Sequence, residues 1–211
     1  KESHSQYRYE RMQELLEQNA KVTPQIAVDI LRNKEGLANK EIGYGNEKAL
    51  NQLLAHHALV FKPEQRLVWV SSNPYQLGEF VAYDLNEIFK DIDEESNSFS
   101  LANPKLTIAK DPFQYTAAYK NYEEYRRLKN TIETATENKK RLKPETLKKL
   151  QQYNPEYWEA YYIVGKYYMQ RKYYTAALHA FQKAKTKEIT TVQEQQEVDS
   201  YIKKLKRKLK K

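Results

Sequence analysis

The side chains best suited to chemistry fall in two short stretches. His56 and His57 are adjacent within an apolar run, QLLAHHALVF (Gln52 to Phe61). Ser71, Ser72 and Asn73, with Tyr75 close behind, end and follow a second run, RLVWVSS (Arg66 to Ser72). Imidazoles serve proton transfer and metal binding, and hydroxyls serve as nucleophiles when a base stands beside them. The spacing restricts both uses. Neighbours on a strand point to opposite faces, so His56 and His57 cannot hold one ion together through one face. His4 and His179 are far away in sequence, and neither HxxxH nor HExxH occurs, so no metal site is expected. No GxSxG elbow surrounds Ser71 or Ser72. His56, His57, Ser71, Ser72, Asn73 and Tyr75 are therefore candidates for lining a substrate pocket. No catalytic residue, metal ligand or cofactor site is assigned. The acids Asp93, Glu94 and Glu95 lie in a polar stretch where solvation is the usual fate, and Gly36, Gly43 and Gly45 match neither a P-loop nor GxGxxG. The loop that holds them, Asn33 to Asn46, reads as a plain connection.

The elements that must position these residues begin with the two apolar runs. Gln52–Phe61 and Arg66–Ser72 read as strands joined by the turn Lys62–Gln65, and both are apolar on alternate faces. Such strands belong to sheets covered on both sides. No third strand of comparable strength is evident, although Phe80–Phe89 has room for a short strand or for a helix starting near Asp84. An isolated two-stranded hairpin is marginal in water, so either helices cover it or its sheet continues on other polypeptide. Upstream, Tyr7 to Gln18 is expected to be helical, with Tyr9, Met12, Leu15 and Leu16 inward. A second helix opens at Thr23-Pro24, with Ile26, Ala27, Ile30 and Leu31 inward. The polar, proline-broken stretch Asp91–Pro112 reads as a boundary. It gives an expected division into residues 1–95, a linker at 96–112 and a helical region at 113–211.

The helical region carries a repeat-like pattern. Phe113 to Asn138 places Tyr115, Tyr119, Tyr122, Tyr125, Leu128, Ile132 and Ala135 on one face. Pro144–Gln152 is a short helix, and Asn154-Pro155 reads as the start of a strong one. From Trp158 the chain resembles one tetratricopeptide unit, about residues 158–189. Tyr161, Val164, Gly165 and Tyr168 fall at first-helix positions, and Tyr174, Ala177, Phe181 and Ala184 at second-helix positions. The proline usual near the end is replaced by Ile189. Thr190–Lys211 is expected to cap the unit through Val198, Ile202, Leu205 and Leu209. Twelve of the 18 tyrosines lie between Tyr115 and Tyr174, a density that suits helix packing or a binding surface.

Composition narrows the function classes. The 211 residues carry a net charge of +8, but the last eleven, YIKKLKRKLKK, hold seven cations and no acid, which leaves +1 for the rest (8 − 7). A nucleic-acid binder should show a second basic cluster, and none is expected, so the tail reads as the solvated face of a terminal helix. An anionic-membrane contact through the tail is the sharper alternative. There are no cysteines, and no run approaches the length of a membrane span.

The stretch NEKALNQLLAHHALVFKPEQRLVWVSSNPYQLGEFVAYDL (Asn46 to Leu85), with the helices before it, resembles the C-terminal portion of bacterial proteins of the acyl-coenzyme A:6-aminopenicillanic acid acyltransferase family. The likeness spans roughly residues 7–95. The repeat and the TKEITT segment (Thr186 to Thr191) are similar to the long members. The resemblance implies an αββα N-terminal-nucleophile hydrolase fold, of which this chain would supply a partial layer, giving an α+β protein with a helical extension. It also implies an amide-bond hydrolase or acyltransferase whose nucleophile is a cysteine freed by self-cleavage. With no cysteine here, that nucleophile is expected upstream or on another chain. The implied partners are that catalytic segment and a small-molecule amide or acyl substrate. The implied location is the bacterial periplasm or cell envelope, with the cytoplasm also open. The competing expectation is a non-enzymatic tetratricopeptide-type interaction module.

Overall fold

The computed structural model describes residues 3–90 and 100–210, a mixed α+β structure with a small sheet and a helical C-terminal region. Asp93, Glu94 and Glu95, and the expected boundary at residues 95 and 96, lie outside the described residues. The first two helices are α1 (His4–Glu17) and α2 (Pro24–Leu31). Each starts where its capping chemistry dictates: Ser3 Oγ accepts from the Gln6 amide, and Thr23 Oγ1 accepts from the Ile26 amide ahead of Pro24. The inward face of α1 differs from the expected one, while that of α2 adds Val28 to the expected Leu31. In α1 the buried side chains are Tyr7 and Arg11, while Tyr9 is exposed; in α2 Val28 is the buried residue. The reason in α1 is polar. Arg11 is 0% exposed and spends its guanidinium on Asn33 Oδ1 (3.1 Å), Glu14 Oε2 (2.7 Å) and Asn39 Oδ1 (2.6 Å). A helix face set by a charge anchored to the loop after α2 is invisible to a count of apolar periodicity.

The sheet is antiparallel, in the order β1 (Leu59–Lys62), β2 (Leu67–Ser71), β3 (Phe80–Asp84). Two expectations are corrected here. The first strand is four residues long rather than ten, because the backbone at 52–58 is irregular, with Leu53 at a φ of 53°. The hairpin also has a partner within the chain: β3 pairs along the whole of β2, from Leu67↔Asp84 to Ser71↔Phe80. The short helix α3 (Leu85–Ile88) then starts with Asp84 as its cap. The outer edge of β3 is occupied too. Phe80 and Ile108 exchange two backbone hydrogen bonds of 3.0 Å, and Asn103 donates to Ala82 at 2.7 Å. The described part of the expected linker thus runs beside the sheet.

Register sorts the strand residues into two faces, because directly paired residues share a face. Val60, Trp69 and Ala82, continued by Ala58 and Phe80, pack with Val28 and Leu31 of α2 and with Ile108. The opposite face holds Leu59, Val70 and Val81 in one row and Phe61, Val68 and Tyr83 in the next. Leu59 is 51% and Phe61 60% exposed, the other four are only partly buried, and none belongs to a core cluster. One face is therefore roofed, while the other is apolar and joins no core cluster among the described residues. The outer edge of β1 has no strand partner among the described residues.

Five helices follow: α4 (Ala117–Glu137), α5 (Pro144–Tyr153), α6 (Trp158–Gln170), α7 (Tyr174–Lys185) and α8 (Val192–Leu209). A 3-10 turn at Pro112–Tyr115 precedes α4, and Thr116 caps it. α6 begins three residues beyond Asn154-Pro155, because Asn154 is engaged elsewhere: its side chain accepts from the Tyr44 amide (3.1 Å) and donates to the Tyr44 carbonyl (2.8 Å). A capping box at Thr191 and Glu194 starts α8. The most extensive helix contact is between α6 and α7, then between α7 and α8, and α4 packs on α5 and α6. Tyr122, Tyr125, Ile132, Leu150, Trp158, Val164, Phe181 and Leu205 form a continuous core through all five.

Gly165 lets α6 and α7 approach. A Cβ there would stand 2.9 Å from two Phe181 ring atoms, and that ring is stacked on Tyr201 of α8 with centroids 4.7 Å apart. The ring cannot retreat without disturbing three helices. Gly165→Ala should therefore cost about 1–3 kcal/mol, the usual range for overpacking. Chemical denaturation that finds it as stable as the parent would refute this account of the helix contact.

Candidate functional site

The six sequence-derived candidates do not converge. His56 and His57 are both exposed and lie on the irregular segment before β1, not on a buried strand. Ser71 is buried, and its hydroxyl is occupied by the Ala58 amide (2.7 Å), with the Ser71 amide bonded back to the Ala58 carbonyl (2.9 Å). That exchange is structural. Ser72 begins a tightly bonded loop in which its amide donates to the Glu79 carbonyl at 2.7 Å. Asn73 is exposed and precedes a cis Pro74. Arg32 pins the loop from behind, donating to the carbonyls of Gln76 (3.0 Å), Gly78 (2.7 Å) and Ala109 (2.9 Å). Only Tyr75 reaches towards the helical region: its hydroxyl accepts from Arg126 of α4, whose guanidinium carbon lies 5.4 Å from the ring centroid. None of the six lines the cavity described next.

That cavity, about 270 Å³, lies where residues 45–54 meet the helices. Its wall includes Tyr122, Tyr125, Tyr157, Glu159, Lys129 and Glu47. Two contacts fix its position. Gly43, at a φ of 81°, brings the loop so near that a Cβ would fall 2.4 Å from the Tyr157 backbone. On the far side, Trp158 Nε1 donates to Thr190 Oγ1 (3.0 Å), next to Asn46. Within the cavity Glu159 is the hub: Tyr125 donates to its Oε2 (3.0 Å) and Lys129 to its Oε1 (2.6 Å). Burial first, and the Glu159 charge second, raises the Tyr125 and Tyr157 hydroxyls well above the usual phenol range. Burial likewise raises Tyr122. These phenols are donors at neutral pH and cannot serve as bases. The arrangement offers a polar, tyrosine-walled recess, and no cluster of metal-ligating side chains occurs among the described residues. Sequence reasoning noticed the tyrosines but missed Arg126, Lys129 and Glu159. The available signal was a cation four residues after a tyrosine, on the same helix face as Tyr122 and Tyr125.

The recess depends on a junction centred on Glu188, in the TKEITT segment. Lys48 and Lys40 donate to its two carboxylate oxygens (2.6 and 2.7 Å), and Asn46 donates to its backbone carbonyl (2.9 Å). Burial opposes ionisation of Glu188, but the hydrogen bonds from Lys40 and Lys48 outweigh it and hold the carboxyl below its ordinary value of 4.5. Compared with family models, curated proteins and solved structures, the chain finds no match.

The junction makes a pH prediction. A depressed folded-state pKa contributes stability that is fully present above the unfolded value and is lost as the pH falls through the folded one. Glu188→Gln leaves Lys48, with its side chain 10% exposed, without its partner. It should cost about 1–3 kcal/mol at neutral pH. The gap between variant and parent should close as the pH drops below 4.5. Unfolding curves with a pH-independent gap would show that the ionised carboxylate does not hold the junction.

Proposed function

We propose that this chain is the C-terminal part of an amide-bond hydrolase or acyltransferase that works through an N-terminal cysteine on polypeptide outside these residues. The observation that carries the reading is the one-sided sheet. α2 roofs one face, while Leu59, Phe61, Val68, Val70, Val81 and Tyr83 make the other apolar, with Leu59 and Phe61 exposed and none of the six in a core cluster among the described residues. A helix layer over a sheet whose second face is apolar is what half of an αββα sandwich would present, since two such faces pack about 10 Å apart. The likeness of Asn46–Leu85 to the acyltransferase family supports the same reading. In it, the exposed His56, His57 and Asn73 are the candidates free to meet a small amide or acyl substrate held between this chain and the catalytic part. The bacterial periplasm or envelope is the corresponding location.

A second reading, a tetratricopeptide-type interaction module, draws support from the Gly165–Phe181 approach of α6 and α7, a small residue facing a large one as in such repeats. The two readings part at the sheet, because an interaction module gives the second apolar face no role.

Intact-mass analysis and N-terminal sequencing of the native gene product should find a longer precursor, or a companion chain, with a cysteine at a processed N-terminus. These residues alone should not hydrolyse amides. Phe61→Ser should change the stability of the isolated chain by no more than about 0.5 kcal/mol, as for other surface positions, yet lower the activity of the complete protein. A native product made of these residues only would refute the proposal.

A further inference from the structure

Basic residues are not confined to the C-terminal tail, contrary to the sequence expectation. A second run, Lys139-Lys140-Arg141-Leu142-Lys143, forms the connection between α4 and α5. The fold brings it to the same end of the helical region as two other segments. Arg171, in the α6–α7 connection, donates from Nη2 to the Lys139 carbonyl (2.9 Å), and the Leu142 amide donates to the Tyr167 hydroxyl (2.8 Å). The last turn of α8 arrives from the other side: Lys208 donates to the Tyr174 hydroxyl (3.2 Å), with its ammonium 4.6 Å from that ring's centroid. Tyr174 follows directly on the α6–α7 connection, so the three stretches 138–144, 171–174 and 206–210 share one end.

Those stretches contain ten cations, four, two and four respectively, and no carboxylate. None of the ten is ion-paired with a carboxylate among the described residues, and all but Arg171 are exposed. Elsewhere the lysines of this protein are repeatedly matched by acids, as at Lys40, Lys48, Lys129, Lys185 and Lys187. The unmatched end also carries apolar side chains in the open, Tyr173 at 58% and Leu209 at 44% exposure.

We propose that this end of the helical region docks on the surface of an anionic lipid bilayer, with the cations at the headgroups and Tyr173 and Leu209 at the interface. Two features favour a bilayer over a nucleic acid. Seven of the ten cations are lysines, point charges suited to a diffuse anionic surface. No side-chain amide is free to pair with adenine: the one amide in the three stretches, Asn138, is turned back onto the Thr134 carbonyl (2.9 Å). An exposed tyrosine and leucine set among lysines match the amphipathic character of a membrane interface. Contact with the surface needs no spanning segment, and among the described residues no helix is long and apolar enough to cross a membrane.

Co-sedimentation of the 211-residue chain with vesicles of phosphatidylcholine, alone or mixed with phosphatidylglycerol, tests the proposal. Binding is expected only to the mixed vesicles and should fall steeply with added salt. The triple variant Lys140→Glu, Lys143→Glu, Lys208→Glu should bind about a hundredfold more weakly or worse. Lys105→Glu, Lys110→Glu, Lys120→Glu, an equal charge change at exposed sites away from this end, should retain most of the binding. Tyr173→Ser with Leu209→Ser, which alters no charge, should lower binding several-fold and covers the case in which the charge-reversed protein misfolds. Failure to sediment with the mixed vesicles overturns the proposal. So does an equal loss in both triple variants, or tight binding of a DNA duplex by protein that ignores the vesicles.

Discussion

One carboxylate ties the two parts of this chain together. Glu188 lies between α7 and α8, yet both of its oxygens are taken by lysines from residues 40–48, and its backbone carbonyl is taken by Asn46. Asn154 repeats the arrangement against Tyr44, and Gly43 removes the side chain that would keep the strands of the junction apart. These are specific polar contacts in a partly buried seam. They fix orientation and register more than they add stability, because each charge gives up hydration to enter the seam. The tyrosine-walled recess exists only while the seam is closed, since its walls come from both sides.

The same logic explains the buried arginines. Arg11 and Arg32 are planar, multidentate donors, and each is aimed at loop groups that have no regular partners: Asn33 and Asn39 for the first, the Gln76, Gly78 and Ala109 carbonyls for the second. Irregular backbone leaves more unpaired acceptors than helix or strand, and a guanidinium satisfies several at once. The long non-repetitive stretches around the sheet are held in this way, while the helical region relies on aromatic packing.

Legibility from the sequence followed the same division. Where apolar spacing decides the structure, reading it worked in the middle of each helix: Tyr122, Tyr125, Ile132 and Ala135 are buried on α4, and Val198 and Leu205 on α8, whereas Tyr115, in the 3-10 turn before α4, and Leu209, at the end of α8, are exposed against expectation. Where a polar contact decides, it did not. The inward face of α1 is set by Arg11, the start of α6 by the engagement of Asn154, and the length of β1 by a backbone turn at Leu53. β3 was read only as an option, because Phe80–Asp84 is five residues long and runs straight into a helix start at Asp84, and its outer edge is paired by a segment that looked like linker. The basic run at 139–143 was legible in the sequence and was passed over; what the sequence does not show is that it meets residues 171–174 and 206–210, about 30 residues apart in the chain, through the helix connections.

The outer edge of β1, without a strand partner among the described residues, bears on how the protein behaves in concentrated solution. An unpaired edge next to an apolar face invites strand addition and clumping. Here the edge is four residues long, and Lys62 followed by Pro63 closes it, leaving little ribbon for a neighbour to extend. Any tendency to aggregate therefore resides in the flat apolar surface rather than in backbone pairing, and detergent should suppress it more readily than a β-breaking substitution.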